Sequence, residues 1–148
     1  MKKIKTVLTA IAMLLFISSF ATEPDKVSLV VKTAFENDFS RATEVNWVKS
    51  NDFYFASFTL NNVKTDAAYT EAGELVGTAR RILPELMPLS VSLSIAEKFN
   101  GYTVDQSVIE LTFEGVTRYY VTLLNQNQAV KLKCYSNGDL EIEGKTKK

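Results

Sequence analysis

Carboxylates are the only abundant side chains in this sequence equipped to act as acids, bases or metal ligands. Histidine is absent and cysteine occurs once in 148 residues. That excludes Ser-His-Asp and Cys-His catalysis, histidine-ligated metals, zinc ribbons and a disulfide scaffold. The closest carboxylate pairs are Glu71 with Glu74, Glu110 with Glu114, and Glu141 with Glu143. Strand geometry puts Glu141 and Glu143 on one face, roughly 7 Å apart, which touches the spacing used by inverting glycosidases. Terminal strands, however, commonly carry exposed Glu and Lys to blunt their edges, and no cluster of substrate-binding aromatics surrounds this pair. Asn137-Gly138-Asp139 lacks the alternating oxygen ligands of a calcium loop and reads as a hairpin turn. In strand phase Arg80 and Arg81 diverge, so they read as two surface arginines rather than an anion clamp. The expectation is a non-enzymatic chain with no catalytic residue, no metal and no cofactor.

Cys134 has no partner cysteine. A redox or intermolecular thiol is one reading; its place on the apolar phase of a strand favours a small buried hydrophobe.

Residues 1–21 read as a secretory signal peptide. Lys2, Lys3 and Lys5 supply the positive end, 7–20 is almost uninterruptedly apolar, and Ser19-Phe20-Ala21 offers small residues at the cleavage positions. The apolar stretch is shorter than the ~20 residues that span a bilayer, and Glu23-Pro24-Asp25 follows it, so no stable membrane anchor is expected. The chain should be exported, to the periplasm or the extracellular space. Removing three lysines leaves 14 basic residues against 17 acidic, which does not suggest nucleic acid, whose binders present a basic face. What remains suffices for one domain with a real core.

The elements that must position any site follow from periodicity. Val27, Val30, Val31, Ala34, Phe35 and Phe39 form a helical stripe, with Asp25 or Ser28 able to cap its start. Strand-like runs follow at 44–49, 53–60, 65–69 and 74–82, separated by turn residues. After Pro84 and Pro88 the order restarts: a second stripe at Leu89, Leu93, Ala96 and Phe99, then strand runs at 107–113, 117–124, 129–135 and 140–144. Sliding the chain by 65 residues lays Tyr54 over Tyr119, Asn62 over Asn127, Gly73 over Gly138 and Leu75 over Leu140. The expected class is α+β: residues 22–148 as one domain of two repeats, about 24–82 and 84–144, in tandem. Each is expected to be a helix packed on an antiparallel sheet of three to four strands.

The residues that carry this pattern also carry a family resemblance. They are Phe35 and Phe39 ending the helix, Val45-Asn46-Trp47, Tyr54-Phe55-Ala56-Ser57-Phe58, Gly73-Glu74-Leu75, Leu83-Pro84, and Phe99-Asn100-Gly101-Tyr102-Thr103-Val104. With the signal peptide, they resemble the secreted PepSY-like, β-lactamase-inhibitor-protein-like proteins common in Bacteroidetes. The resemblance covers nearly all of the mature chain. It implies helix-on-sheet architecture and a binding or inhibitory role, although fold analogy alone does not establish function.

Alternation assigns the sheet faces. Tyr54, Ala56, Phe58 and Leu60, with Tyr119, Val121 and Leu123, and Val130, Leu132 and Cys134, form the helix-facing set; Ile109, Leu111 and Phe113 are placed with them, as is Trp47. The other face then carries Phe53, Phe55, Arg118, Tyr120, Lys131, Lys133 and Tyr135, the aromatic-plus-cation mixture that protein-binding surfaces use for anchors. An ordinary exposed sheet face would also show such aromatics, through β-propensity and cross-strand pairing. Two functions remain. One is a secreted binding module, an inhibitor or regulator of another exported protein, that uses the open sheet face with Phe55 and Tyr120 as exposed anchors. The other is a small-ligand binder with an apolar pocket between helix and sheet.

Overall fold

The computed structural model describes residues 26–148; the expected signal segment lies outside them. The chain divides into two compact units, one ending at Arg80 and the other beginning at Arg81. The first holds helix α1 (Leu29–Asp38) and strands β1 (Thr43–Ser50), β2 (Phe53–Leu60), β3 (Val63–Thr70) and most of β4 (Leu75–Ile82). The second holds a 3-10 turn (Pro84–Leu86), helix α2 (Leu89–Lys98) and strands β5 (Thr103–Val104), β6 (Val108–Phe113), β7 (Val116–Leu124), β8 (Gln128–Tyr135) and β9 (Leu140–Lys147).

The expected fold class needs correction. The described chain is mostly strand, its nine strands held in antiparallel ladders, and its two α-helices are only ten residues each. It is not two tandem helix-on-sheet units with three to four strands apiece. Alternation identifies a strand and its two faces, but backbone edges carry no side-chain signature, so periodicity does not say where a sheet stops.

In the first unit, Ser28 caps α1: its side-chain oxygen accepts the Val31 N–H at 3.3 Å, satisfying one of the amides that a helix start leaves open. The apolar stripe then sets Val27, Val31 and Phe35 against Trp47, Tyr54, Ala56, Phe58, Ala67 and Tyr69. Phe35 is the centre of this cluster. Its ring lies 5.1 Å from Trp47, 5.0 Å from Phe58 and 6.3 Å from Tyr69, all edge-on, the geometry that aromatic quadrupoles favour. Tyr69 is fully buried, and its hydroxyl donates to Asp38 Oδ2 at 2.8 Å, so its polar tip is satisfied.

The core of the second unit is aliphatic: Ile82, Met87, Val91, Ile95, Val108, Tyr119, Val121, Leu123, Val130, Leu132 and Cys134. Here the expected helical stripe was out of phase. Val91 and Ile95 face inward, whereas Leu89 and Leu93 are 72% and 60% exposed. Apolar residues alternate along this helix at 89, 91, 93 and 95, so a spacing of four fits either pair, and only packing decides between them. The expected Ile109, Leu111 and Phe113 face is also reversed. Ile109 pairs with Tyr120 and Leu111 with Arg118, and paired residues share a face, so Val108 is the strand's contribution to the core beneath α2.

The ladders of the two units are built on one numerical plan. Tyr54 pairs with Tyr69 and Tyr119 with Cys134; Phe55 pairs with Ala68 and Tyr120 with Lys133. Each second pair is the first displaced by 65 residues. The turns repeat the offset: Thr70 N–H bonds Glu74 C=O and Gly73 N–H bonds Thr70 C=O, as Tyr135 does with Asp139 and Gly138 with Tyr135. Both turn glycines have positive φ, and a Cβ on Gly73 would stand 3.0 Å from Val30, one on Gly138 2.9 Å from Ser94. Glycine is required at each for conformation and for the close approach of the helix.

The helix phase can be checked directly. Ile95→Ala should cost about 2–5 kcal/mol of unfolding free energy, whereas Leu93→Ala should stay within about 0.5 kcal/mol of the parent, both measured by denaturant titration.

Candidate binding face

Seven residues were expected on the open sheet face. Five of them come together in the second unit. Across β7 and β8, Arg118 pairs with Tyr135, Tyr120 with Lys133, and Thr122 with Lys131. All therefore project opposite to Tyr119, Val121, Leu132 and Cys134, which lie in the core. Phe53 and Phe55 belong to the first unit, where their rings lie 6.4 Å apart. They occupy the expected phase, away from the Phe35 cluster, but Phe55 is only 1% exposed and Phe53 9%. The expectation that Phe55 is an exposed anchor is therefore corrected. Alternation reports which face a side chain takes, not whether that face is covered.

The face has an internal polar network. Lys133 Nζ donates to Glu141 Oε2 at 2.9 Å, and the Tyr135 hydroxyl donates to Glu141 Oε1 at 2.9 Å. Hydrogen bonding to Tyr135 and to Glu141 holds the Lys133 ammonium above the ordinary lysine range. The same bonds, from Lys133 first and Tyr135 second, hold the Glu141 carboxyl below the usual carboxylate range. Lys133 lies 5.3 Å from the Tyr135 ring centre and the Arg118 guanidinium 6.0 Å from it, within cation–π reach. Tyr120 is half-buried, and its hydroxyl is pushed up in pKa by burial first and by Glu143 second. Lys131 is exposed. Arg118 Nε is buried with no hydrogen-bond partner.

Periodicity missed Glu141 as a member of this face. Its signal is visible only once β9 is registered on β8, where Glu141 pairs with Lys133 and Gly144 with Lys131, leaving Glu143 at an irregularity of the ladder. That irregularity also removes the regular alternation on which the Glu141–Glu143 spacing rested. An ionised Glu141 already accepting two hydrogen bonds is the opposite of the raised-pKa carboxyl that a general acid needs. Glu71 is paired with Lys49 at 2.8 Å, and Glu114 sits in a tight turn at φ 48°. Ile109, Leu111 and Phe113 share this side of the sheet through their pairing with Tyr120, Arg118 and Val116, but Leu111 and Phe113 are buried there, as Phe53 and Phe55 are in the first unit.

The alternative of a ligand pocket between helix and sheet meets a filled layer in the first unit, where Val31 and Phe35 are 0% and 5% exposed against the strands. A groove of about 520 Å³ does lie at the end of α1, lined by Phe35, Phe39 and Trp47. It opens to solvent and has Lys32 and Glu36 in its wall, unlike an enclosed apolar cavity. Cys134 is fully buried, and burial pushes its thiol up to about 12, which suits a packing residue rather than a nucleophile. Among the described residues no helix is long and apolar enough to cross a membrane.

No family model and no curated protein matches the chain. Solved structures do. A BLIP-like protein from Bacteroides fragilis is 19% identical, with 81% of this chain and 85% of that one covered at a TM-score of 0.66. A protein from Bacteroides eggerthii described as a candidate periplasmic protein is 18% identical, covering 87% and 90% at 0.67. A DUF2874 family protein from Bacteroides uniformis is 18% identical, covering 81% and 88% at 0.67.

The face assignment predicts a stability ranking in thermal melts. Tyr119→Ala and Phe55→Ala should each cost about 3 kcal/mol or more, through core cavities. Tyr120→Ala should cost about 1 kcal/mol or less, because its side chain stands partly in solvent. At this level of identity the likeness to the solved structures is one of fold: the chain folds as the BLIP-like and DUF2874 proteins of Bacteroides do.

Proposed function

We propose that this chain is an exported, non-enzymatic binding module that engages another exported protein through the β7–β8 face. The observation that carries the reading is the register that sets Arg118, Tyr120, Lys133 and Tyr135 in two adjacent cross-strand pairs, with Lys131 beside them. Aromatic rings and an arginine provide contact area and directed donors at low entropic cost, which is why such residues dominate binding hot spots. Export is supported by the tripartite pattern of residues 1–21 and by the fold shared with the Bacteroides eggerthii candidate periplasmic protein. The likeness to a BLIP-like protein favours inhibition or regulation of the partner over transport or catalysis. The filled layer beneath α1 favours this function over small-ligand binding.

Affinity capture from an extracytoplasmic extract of the source cells, with the mature chain as bait, tests the reading. Tyr120→Ala should weaken retention of the specific partner by about 2 kcal/mol, roughly 30-fold, while Leu93→Ala on α2 should leave it unchanged. Equal retention by the parent and Tyr120→Ala would remove the face from the account.

A further inference from the structure

We propose that Arg118 reads the carboxylate of a glutamate or aspartate in an acidic segment of the partner; this rests on the β7–β8 face being the docking surface. Within the face, Lys133, Glu141 and Tyr135 are already bonded to one another. Glu141 accepts from Lys133 at one oxygen and from the Tyr135 hydroxyl at the other, and neither bonds Arg118 Nε. Arg118 stands directly opposite Tyr135, with its guanidinium 6.0 Å from that ring, yet its buried Nε has no acceptor. A buried donor without a partner is uncommon in folded proteins and calls for an explanation. The guanidinium has five donors and cannot relieve the deficit by losing its proton.

A carboxylate supplies what is lacking. Its two oxygens match the parallel N–H bonds of a guanidinium, one of which is Nε–H, and the side chain would turn from the Tyr135 ring to bring its buried Nε to it. Charge favours the same occupant. Arg118, the exposed Lys131 and Lys133 place three positive charges on this face, against Glu141, paired with Lys133, and Glu143, which acts on Tyr120. A protein segment is favoured over a free anion because Arg118 lies on a sheet face beside the half-buried rings of Tyr120 and Tyr135. That arrangement offers apolar area to a chain but no enclosure to a small ion.

The test is side-chain NMR of the mature chain with ¹⁵N-labelled arginine, following the Arg118 Nε–Hε resonance. The probes are an end-blocked Glu-Ala repeat peptide, its Gln-Ala counterpart and free glutarate. The expected result is a saturable downfield shift with the Glu peptide alone, and, followed by backbone amide shifts in parent and variants alike, binding at least about tenfold weaker in both Arg118→Gln and Arg118→Lys. The lysine variant keeps the charge and separates bidentate recognition from simple attraction. No shift with the Glu peptide, an equal shift with the Gln peptide, or equal binding of glutarate would overturn the proposal. The two readings fail separately: equal capture by the parent and Tyr120→Ala would remove the face, whereas capture lost in Tyr120→Ala but intact in Arg118→Gln would leave the face standing and remove the carboxylate.

Discussion

The register between β7 and β8 decides the interior and the exterior of the second unit at once. Because side chains alternate with a period of two, pairing Tyr119 with Cys134 buries both and turns Tyr120, Lys133, Arg118 and Tyr135 outward. A slip of one residue would bury Lys131 and Lys133 and expose Val130, Leu132 and Cys134. Desolvating two ammonium groups without partners is prohibitive, so the core composition enforces the register, and the register assembles the face. The 135–139 turn supports it from the end of the hairpin, with Gly138 at positive φ close under Ser90 and Ser94 of α2.

That coupling explains how much was legible in the sequence. The strands of this hairpin, the partition of Tyr119 from Tyr120 and the burial of Cys134 all follow from clean alternation of apolar with polar residues. Trp47 likewise falls inside, at 7% exposure. Legibility fails where both phases are apolar. In β6 the residues 109, 111 and 113 look like the helix-facing set, but pairing with β7 puts them beside Arg118 and Tyr120, where Leu111 and Phe113 are buried all the same. In α2 the alternating Leu-Ser-Val-Ser-Leu-Ser-Ile run fits a helix with either pair inward, and packing buries 91 and 95 rather than 89 and 93. The extent of the sheet was illegible for a related reason: strand edges are backbone, which every residue shares.

The site itself was legible as a set of outward residues but not as a network. Glu141 enters only through the β8–β9 pairing, and without it Lys133 and Arg118 look equivalent. Their surroundings in fact differ. Lys133 is tied down by a carboxylate that is itself 55% exposed, an arrangement that contributes little to stability but removes one cation from the donors open to a partner. Arg118 retains its unmet donor. Phe53 and Phe55 mark the opposite limit: they share the predicted phase and are nevertheless buried, so hydrophobic alternation overstates the exposed area available in the first unit.

The most direct test of the binding face is differential amine labelling of the mature chain, free and with its captured partner bound. Lys131 on β8 and Lys98 at the end of α2 are both exposed and lie on different elements. The account predicts that partner binding protects Lys131 while Lys98 labels at its free rate. Protection of Lys98 with Lys131 unchanged would place the partner on the helix and contradict the account.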